Sequence, residues 1–288
     1  MSKDKKLSCN SGRIPIVVNK IYISLNYGEF NIIEYRDCYD ILIEFLDTGY
    51  NYSVPASQIR SGMVKDYSVA TVVGKGYNSE GKSNNDEIDK LALPRWKEML
   101  RRCYSEKFHK DNPTYADCTV IAEWHDYKNF KKWFKSNYIP VSLIKLDLDK
   151  DLLSNYKTNI YSPDTCSLIP SNINRLIVKC STSKKDNTLI GVELMPNGRF
   201  RGYCNGVEGT RVELGSYNTE VEAFIKYAEY KDYVIKTKAQ EYKDIISDRL
   251  YKVLLNYNTK ERYLGDKWHL RLKWKQLVQA KMILTKEI

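Results

Sequence analysis

Asp147, Asp149 and Asp151 stand at alternate positions in the stretch Leu146-Asp-Leu-Asp-Lys-Asp151. Successive side chains of a strand point to opposite sides, so an extended backbone would put all three carboxylates on one face. Oxygen donors gathered there suit a hard cation such as Mg2+. With Lys145 and Lys150 beside them, the same acids equally suit a solvated strand edge. The chain has three histidines, His109, His125 and His269. His125, in Trp124-His-Asp-Tyr127, is a conceivable general base because imidazole titrates near neutrality. A histidine beside a core tryptophan more often caps or packs. There is no Ser/His/Asp nucleophile pattern, Walker loop or dinucleotide fingerprint, and Gly74-Lys-Gly76 is too short to cradle phosphate. The seven cysteines, Cys9, Cys38, Cys103, Cys118, Cys166, Cys180 and Cys204, include no CxxC pair. That excludes a zinc knuckle and favours buried free thiols in a reducing cytoplasm over a disulfide framework.

The elements that must position these groups follow from hydrophobic period. Ile14–Val18, Tyr22–Leu25, Phe30–Tyr35 and Asp40–Leu46 are β-branched or aromatic runs bounded by turn residues, which predicts a small β-module over 1–82. The Gly74–Ser83 stretch and the polar residues after it read as a linker or flexible loop, with a boundary near Lys82. Beyond it the period becomes helical. Trp96, Met99, Leu100 and Cys103 lie on one side of a helix with Lys97, Arg101 and Arg102 on the other. Asp126–Lys135 repeats the pattern, with Tyr127, Phe130, Trp133 and Phe134 inward and Lys128, Lys131, Lys132 and Lys135 outward. From Ile190 three short strands are expected, then a helical run over about Thr219–Leu255, opened by a capping box of Thr219 and Glu222. The basic, aromatic tail around Trp268–Lys275, with Lys281 and Lys286, reads as a core helix or a DNA-contacting arm.

The 288 residues are enough for two or three modules, and 46 Lys and Arg against 36 Asp and Glu give a formal net charge of +10. A cationic surface draws polyanions through counterion release, and many of the 23 tyrosines stand beside Lys or Arg, where rings stack on bases and hydroxyls reach phosphates. An AT-rich coding sequence would produce the same Lys, Tyr, Asn and Ile enrichment. No stretch is apolar enough to span a bilayer, and the first ten residues lack the apolar segment of a secretory signal, so the expectation is a soluble cytoplasmic protein with no membrane partner.

Several blocks taken together resemble the phage-type HNH homing endonucleases: Trp96–Tyr104, Asn112–Cys118, Glu123–Phe130, Leu148–Leu153, Tyr161–Cys166 and Ile169–Asn174. The segment from Gly191 to about Tyr233, with Phe200-Arg-Gly-Tyr, Leu214-Gly-Ser-Tyr and Glu222-Ala-Phe, is similar to the ethylene-response-factor-like DNA-binding domain with which many of those enzymes end. The resemblance covers roughly the last two-thirds of the chain. It implies an α+β protein with a β-rich module over 1–82, a degenerate HNH domain of ββα-metal type over 83–183, and a three-stranded sheet plus helix with a basic helical tail over 184–288.

The resemblance also implies roles. Asp149 would be the metal-binding aspartate, Asn174 the metal ligand on the helix, and Asn159 the asparagine that braces the loop, with Mg2+ or Mn2+ as cofactor. The general-base histidine is replaced by Lys150, whose ammonium is protonated at neutral pH unless deeply desolvated. Arg199, Arg201, Tyr203 and Arg211 fall in phase to meet the major groove, and Arg101 and Arg102 would add phosphate contacts. The implied function is metal-supported cleavage of duplex DNA. The alternative is a catalytically inactive DNA-binding regulator or host-interaction factor, with the N-terminal module binding a host or phage protein. A third class, RNA binding, is favoured only by tyrosines and charge.

Overall fold

The structure is a computed structural model and describes residues 15–81, 86–140, 144–154, 158–177, 188–264, 273 and 275. Cys9, Cys180, His269, the boundary at Lys82 and most of the tail around Trp268, including Lys281 and Lys286, lie outside the described residues. The chain is α+β and forms two compact units, residues 1–135 and 136–288. Among the described residues no helix is long and apolar enough to cross a membrane.

The first unit opens with four strands, β1 (Ile21–Ser24), β2 (Gly28–Tyr35), β3 (Ile41–Phe45) and β4 (Asn51–Val54), in an antiparallel meander. Alternation turns Ile41, Ile43 and Phe45 of β3 inward against Phe30 and Ile32 of β2. A bulge between Ile32 and Glu34 shifts the register and leaves Ile33 on the exposed side. Residues 15–18 of the expected first strand have no strand structure, because that run, broken by Pro15, finds no partner among the described residues; the fourth strand is Asn51–Val54 instead.

Helix α1 (Ala56–Ser61) closes the sheet, and α2 (Glu87–Tyr104), α3 (Glu106–Asp111), the two-residue strand β5 (Thr119–Val120) and α4 (Tyr127–Asn137) follow. Asp86 caps α2 by accepting from the Asp89 amide at 2.7 Å. The inward face of α2 is the expected one, Trp96, Met99, Leu100 and Cys103, and it meets Trp124, Tyr127, Phe130 and Phe134 in a buried aromatic core. Lys131 departs from the expected outward set. Its ammonium lies 2.8 Å from the buried Asp89 carboxylate and 3.2 Å from Asp86, drawn inward by a charge that has no water of its own. The Gly74–Gly81 stretch is pinned: Tyr77 takes a backbone bond from Tyr127 and gives one to His125, and the Asp126 carboxylate holds both the Ser79 amide and hydroxyl.

In the second unit, β6 (Leu146–Asp149) pairs antiparallel with β8 (Ser167–Pro170), Leu146 opposite Pro170 and Asp149 opposite Ser167, and α5 (Ser171–Ile177) begins at the next residue. Then β9 (Val192–Leu194), β10 (Phe200–Asn205) and β11 (Arg211–Tyr217) form an antiparallel meander, followed by α6 (Glu220–Glu241), α7 (Asp248–Leu255) and α8 (Thr259–Leu264). The capping box is present in both directions, Thr219 Oγ1 accepting from the Glu222 amide and Glu222 from the Thr219 amide, each at 3.2 Å. The expected single helix over 219–255 is two, because Ser247 caps a new start at Asp248.

Helix α6 belongs to two cores. Its first half, Val221, Ala223, Phe224, Tyr227 and Ala228, packs under the sheet with Val192 and Cys204. Its second half, Ile235 and Ala239, packs with Leu152, Ile169, Ile173 and Ile177 of the β6–β8–α5 element. Each fully buried Phe or Ile contributes about 1.5–3 kcal/mol, so both elements are held firmly to one helix.

Candidate phosphate and nucleic-acid site

The residues to which the resemblance gives roles lie on the antiparallel pair β6–β8, on helix α5 and on the segment between the two strands. All four residues of β8 are buried, as are Leu146, Ile173 and Ile177, so the element is built from the inside by its apolar positions. Asp147 and Asp149 stand on β6, and Asn174 sits one turn into α5. The Asn174 carboxamide donates from Nδ2 to Asp147 Oδ2 at 3.3 Å, while its Oδ1 is buried without a hydrogen-bond partner among the described residues. An orphaned buried carbonyl oxygen costs about 1–3 kcal/mol, and a cation or a water would satisfy it.

Asp149 Oδ1 accepts from the amides of Leu152, at 2.8 Å, and Asp151, at 3.2 Å, which fixes the turn leaving β6. Burial pushes its carboxyl up to about 6, against the lowering effect of the Leu152 amide and with help from the Asp151 charge. A carboxyl raised this way gains most from a neighbouring positive charge. Carboxylate and carboxamide oxygens are the donor types a hard cation takes, and the structure joins Asp147 to Asn174 while Asp149 holds the turn. Among the described residues no three His, Cys, Asp or Glu side chains are grouped so as to hold a metal ion.

Asp151 is not on the strand face expected for it. β6 ends at Asp149, and Asp151 lies in the following turn, where it pairs with the Lys150 ammonium. Lys150 is buried and also lies 5.7 Å from the centre of the Tyr161 ring. Asn159 is exposed, just before the two-residue strand β7 (Ile160–Tyr161). Cys166 is a buried thiol, pushed up to about 12 by burial, and so is no nucleophile at neutral pH. His125 and His109 belong to the other unit. His125 Nε2 is 3.0 Å from the Tyr104 hydroxyl, and His109 Nε2 donates to the Arg102 carbonyl at 2.7 Å, a packing and a capping role.

The outer face of the second unit's sheet carries Arg201 and Tyr203 of β10 and Arg211 of β11, with Arg199 immediately before β10. A bulge between Gly202 and Tyr203 in the β10–β11 register brings Tyr203 opposite Glu213. Gly215 makes it possible: its φ is 112°, and a Cβ there would lie 2.9 Å from the Tyr217 hydroxyl. The Arg211 guanidinium lies 3.8 Å from the centre of the Tyr203 ring. The acidic partners on this face were not assigned from the sequence. Arg201 pairs with Glu213 and Arg211 with Glu193, both at 3.0 Å and both substantially exposed, while Arg199 donates to the Ser216 hydroxyl and carbonyl. The alternation of Arg-Val-Glu in β11 was the available signal, since an acid two positions from an arginine shares its face. Exposed pairs of this kind contribute about 0–1 kcal/mol. Arg101 and Arg102, on α2, both pair with Glu98, at 2.7 and 3.1 Å, and lie over the rings of Phe108 and Tyr115.

The chain matches no family model, no curated protein and no solved structure.

Proposed function

We propose that the protein binds duplex DNA in the cytoplasm through the outer face of the β9–β11 sheet, and that the β6–β8–α5 element addresses a phosphodiester in the manner of an HNH endonuclease. The observation that carries this reading is the shared helix: the arginine-bearing sheet and the Asp149–Asn174 element are packed on the two halves of α6. On this reading Arg199, Arg201 and Arg211 position the duplex and Tyr203 supports Arg211. Asp149 and Asn174, with Asp147 bracing the carboxamide, would hold Mg2+ or Mn2+, which supplies charge stabilisation at the scissile phosphate. Lys150 faces Asp151 and adds positive charge rather than abstracting a proton.

That last contact favours a second reading, an HNH-derived DNA-binding regulator without hydrolysis, because the position of the base is occupied by a paired ammonium. Incubation of supercoiled and linear DNA with Mg2+ or Mn2+ separates the two. Nicking that Asp149→Ala and Asn174→Ala both abolish establishes the nuclease. Tight duplex binding without nicking, unchanged in both variants, establishes the regulator. Preference for single strands over duplex would overturn both.

A further inference from the structure

The exposed apolar side chains of the protein are unevenly placed. Eleven of the fifteen large ones that stand in water among the described residues fall in residues 15–81, less than a third of what is described. Single exposed apolar residues are ordinary, whereas a cluster marks a contact surface. The same stretch departs from the rest of the chain in charge. It carries eight Asp and Glu against five Lys and Arg, in a protein whose formal net charge is +10.

The sheet register shows how the two properties combine. β1 turns Tyr22 and Ser24 toward the core and Ile21 and Ile23 to the outer face, where Ile23 is 69% exposed. Leu25, 68% exposed, continues this stripe; its amide donates to the Gly62 carbonyl at 3.0 Å, and the next residue, Met63, is exposed as well. Beside the apolar stripe runs an acidic one. Glu29 of β2 stands directly opposite Ile23, and Glu44 of β3 stands opposite Asn31, which itself faces Ile21. Residues paired across an antiparallel ladder share a face, so the apolar side chains and the acids look the same way.

No cation of the described residues neutralises these acids: Glu29 and Glu44 make no ion pair among them. Arg36 is held by Glu34 and Asp40, and Lys20 lies over the ring of Tyr22, 5.8 Å from its centre. Charge decides between the possible occupants. DNA carries phosphates that acids repel and that apolar side chains cannot bond. A second copy brought face to face about a two-fold axis would set the acidic stripe against its own kind. A protein surface that is apolar along one side and basic beside it matches both stripes. The apolar one runs about 13 Å from Ile21 to Leu25, at about 3.3 Å per residue, close to the roughly 11 Å of two helical turns.

We propose that the outer face of β1–β3 docks an amphipathic basic helix of a partner protein: its apolar side chains cover Ile21, Ile23 and Leu25, and its lysines or arginines meet Glu29 and Glu44. This goes beyond the duplex-binding reading. The face lies in the first unit and shares no residue with the arginine-bearing sheet or the ββα element, so either can fail without the other.

The test is fluorescence anisotropy of a labelled helical peptide of Leu and Lys, about 18 residues long so that the helix forms and apolar along one stripe, titrated with the full chain. A second peptide has Glu in place of every Lys. The Leu/Lys peptide is expected to bind at least about tenfold tighter than the Leu/Glu peptide. Ile23→Ser should weaken it about tenfold, and Glu29→Gln by a few-fold with a smaller salt dependence. Ile139→Ser, at an exposed apolar residue outside this face, should change nothing. Urea midpoints equal to the wild type show that the variants fold. The proposal is overturned if the Leu/Lys peptide does not bind, if both peptides bind equally, or if neither Ile23→Ser nor Glu29→Gln weakens binding. Sedimentation that shows a dimer dissolved by Ile23→Ser would also overturn it and assign the face to a second copy.

Discussion

Asn174 and Asp147 meet across the ββα element, carboxamide nitrogen to carboxylate oxygen at 3.3 Å, and the contact turns the carbonyl end of Asn174 to a place where nothing among the described residues bonds to it. The amide is thus oriented by one acid and left with an oxygen to give. Removing Asp147 should act through Asn174 rather than directly. Asp147→Ala is expected to weaken Mn2+ binding by a few-fold and Asn174→Ala by about tenfold, within the range seen for groups that orient metal ligands, as read by calorimetry with Mn2+. Equal affinity in the wild type and Asn174→Ala would remove the carboxamide from the site.

Lys150→His restores an imidazole where the HNH resemblance expects one. The expected outcome is Mg2+-dependent nicking at least about tenfold above the wild type, within the range of general-base catalysis, with a rate that rises with pH through the range where imidazole loses its proton. A flat pH profile, or no gain, would show that the element no longer presents a phosphate to this position.

The paired arginines of the sheet make opposite predictions for partners. Arg201→Ala and Arg211→Ala should each lower duplex affinity and reduce the slope of log affinity against log salt by about 1. Glu193→Gln and Glu213→Gln should raise affinity, since they free Arg211 and Arg201 from their carboxylates. Filter binding at several salt concentrations reads both; a loss of affinity in the glutamine variants would contradict the assignment of this face.

His125 gives a pH dependence. Burial first, and the Lys75 charge second, hold its pKa below the usual value of 6.5. The folded state therefore resists protonation that the unfolded chain accepts, so this residue's share of stability is present above about pH 6.5 and is lost as pH falls below it. His125→Gln should flatten the decline in denaturation midpoint between about pH 7 and 5. An unchanged pH profile would place the acid sensitivity elsewhere.

At the start of α6, Thr219→Ala removes one half of the capping box and should cost about 1 kcal/mol, read as a lowered urea midpoint. Thr219→Ser should retain most of it.

Local signals in the sequence carried well where a few neighbouring residues decide the structure. The Thr219–Glu222 capping box and the Trp96, Met99, Leu100, Cys103 face needed only spacing to be recognised, and both are present. Strands were harder, because a strand exists by pairing. Pro15–Val18 is apolar but pairs with no strand among the described residues, whereas the polar Asn51–Val54 is a strand because β3 runs beside it. The glycines at 74 and 76 suggested slack, but a distant carboxylate, Asp126, ties the segment down. At the candidate site, alternation placed Asp147 and Asp149 on one strand but carried on one step too far, to Asp151, since nothing in the spacing marks where β6 stops. The partners of the sheet arginines come from opposing strands, whose register no single strand reveals.

Helix α6 works as a gauge rod. Its 22 residues span about 33 Å at about 1.5 Å per residue, and each residue also turns the axis by about 100°. One residue inserted near its middle would swing one end by more than a quarter turn against the other, tearing either the sheet or the ββα element from its seat. The spacing and the azimuth between these two elements are therefore locked to a single number, and drift in one cannot occur without compensation in the other. Only insertions close to a whole number of turns, such as about seven or about eleven residues, would lengthen the rod and keep both ends facing as they do.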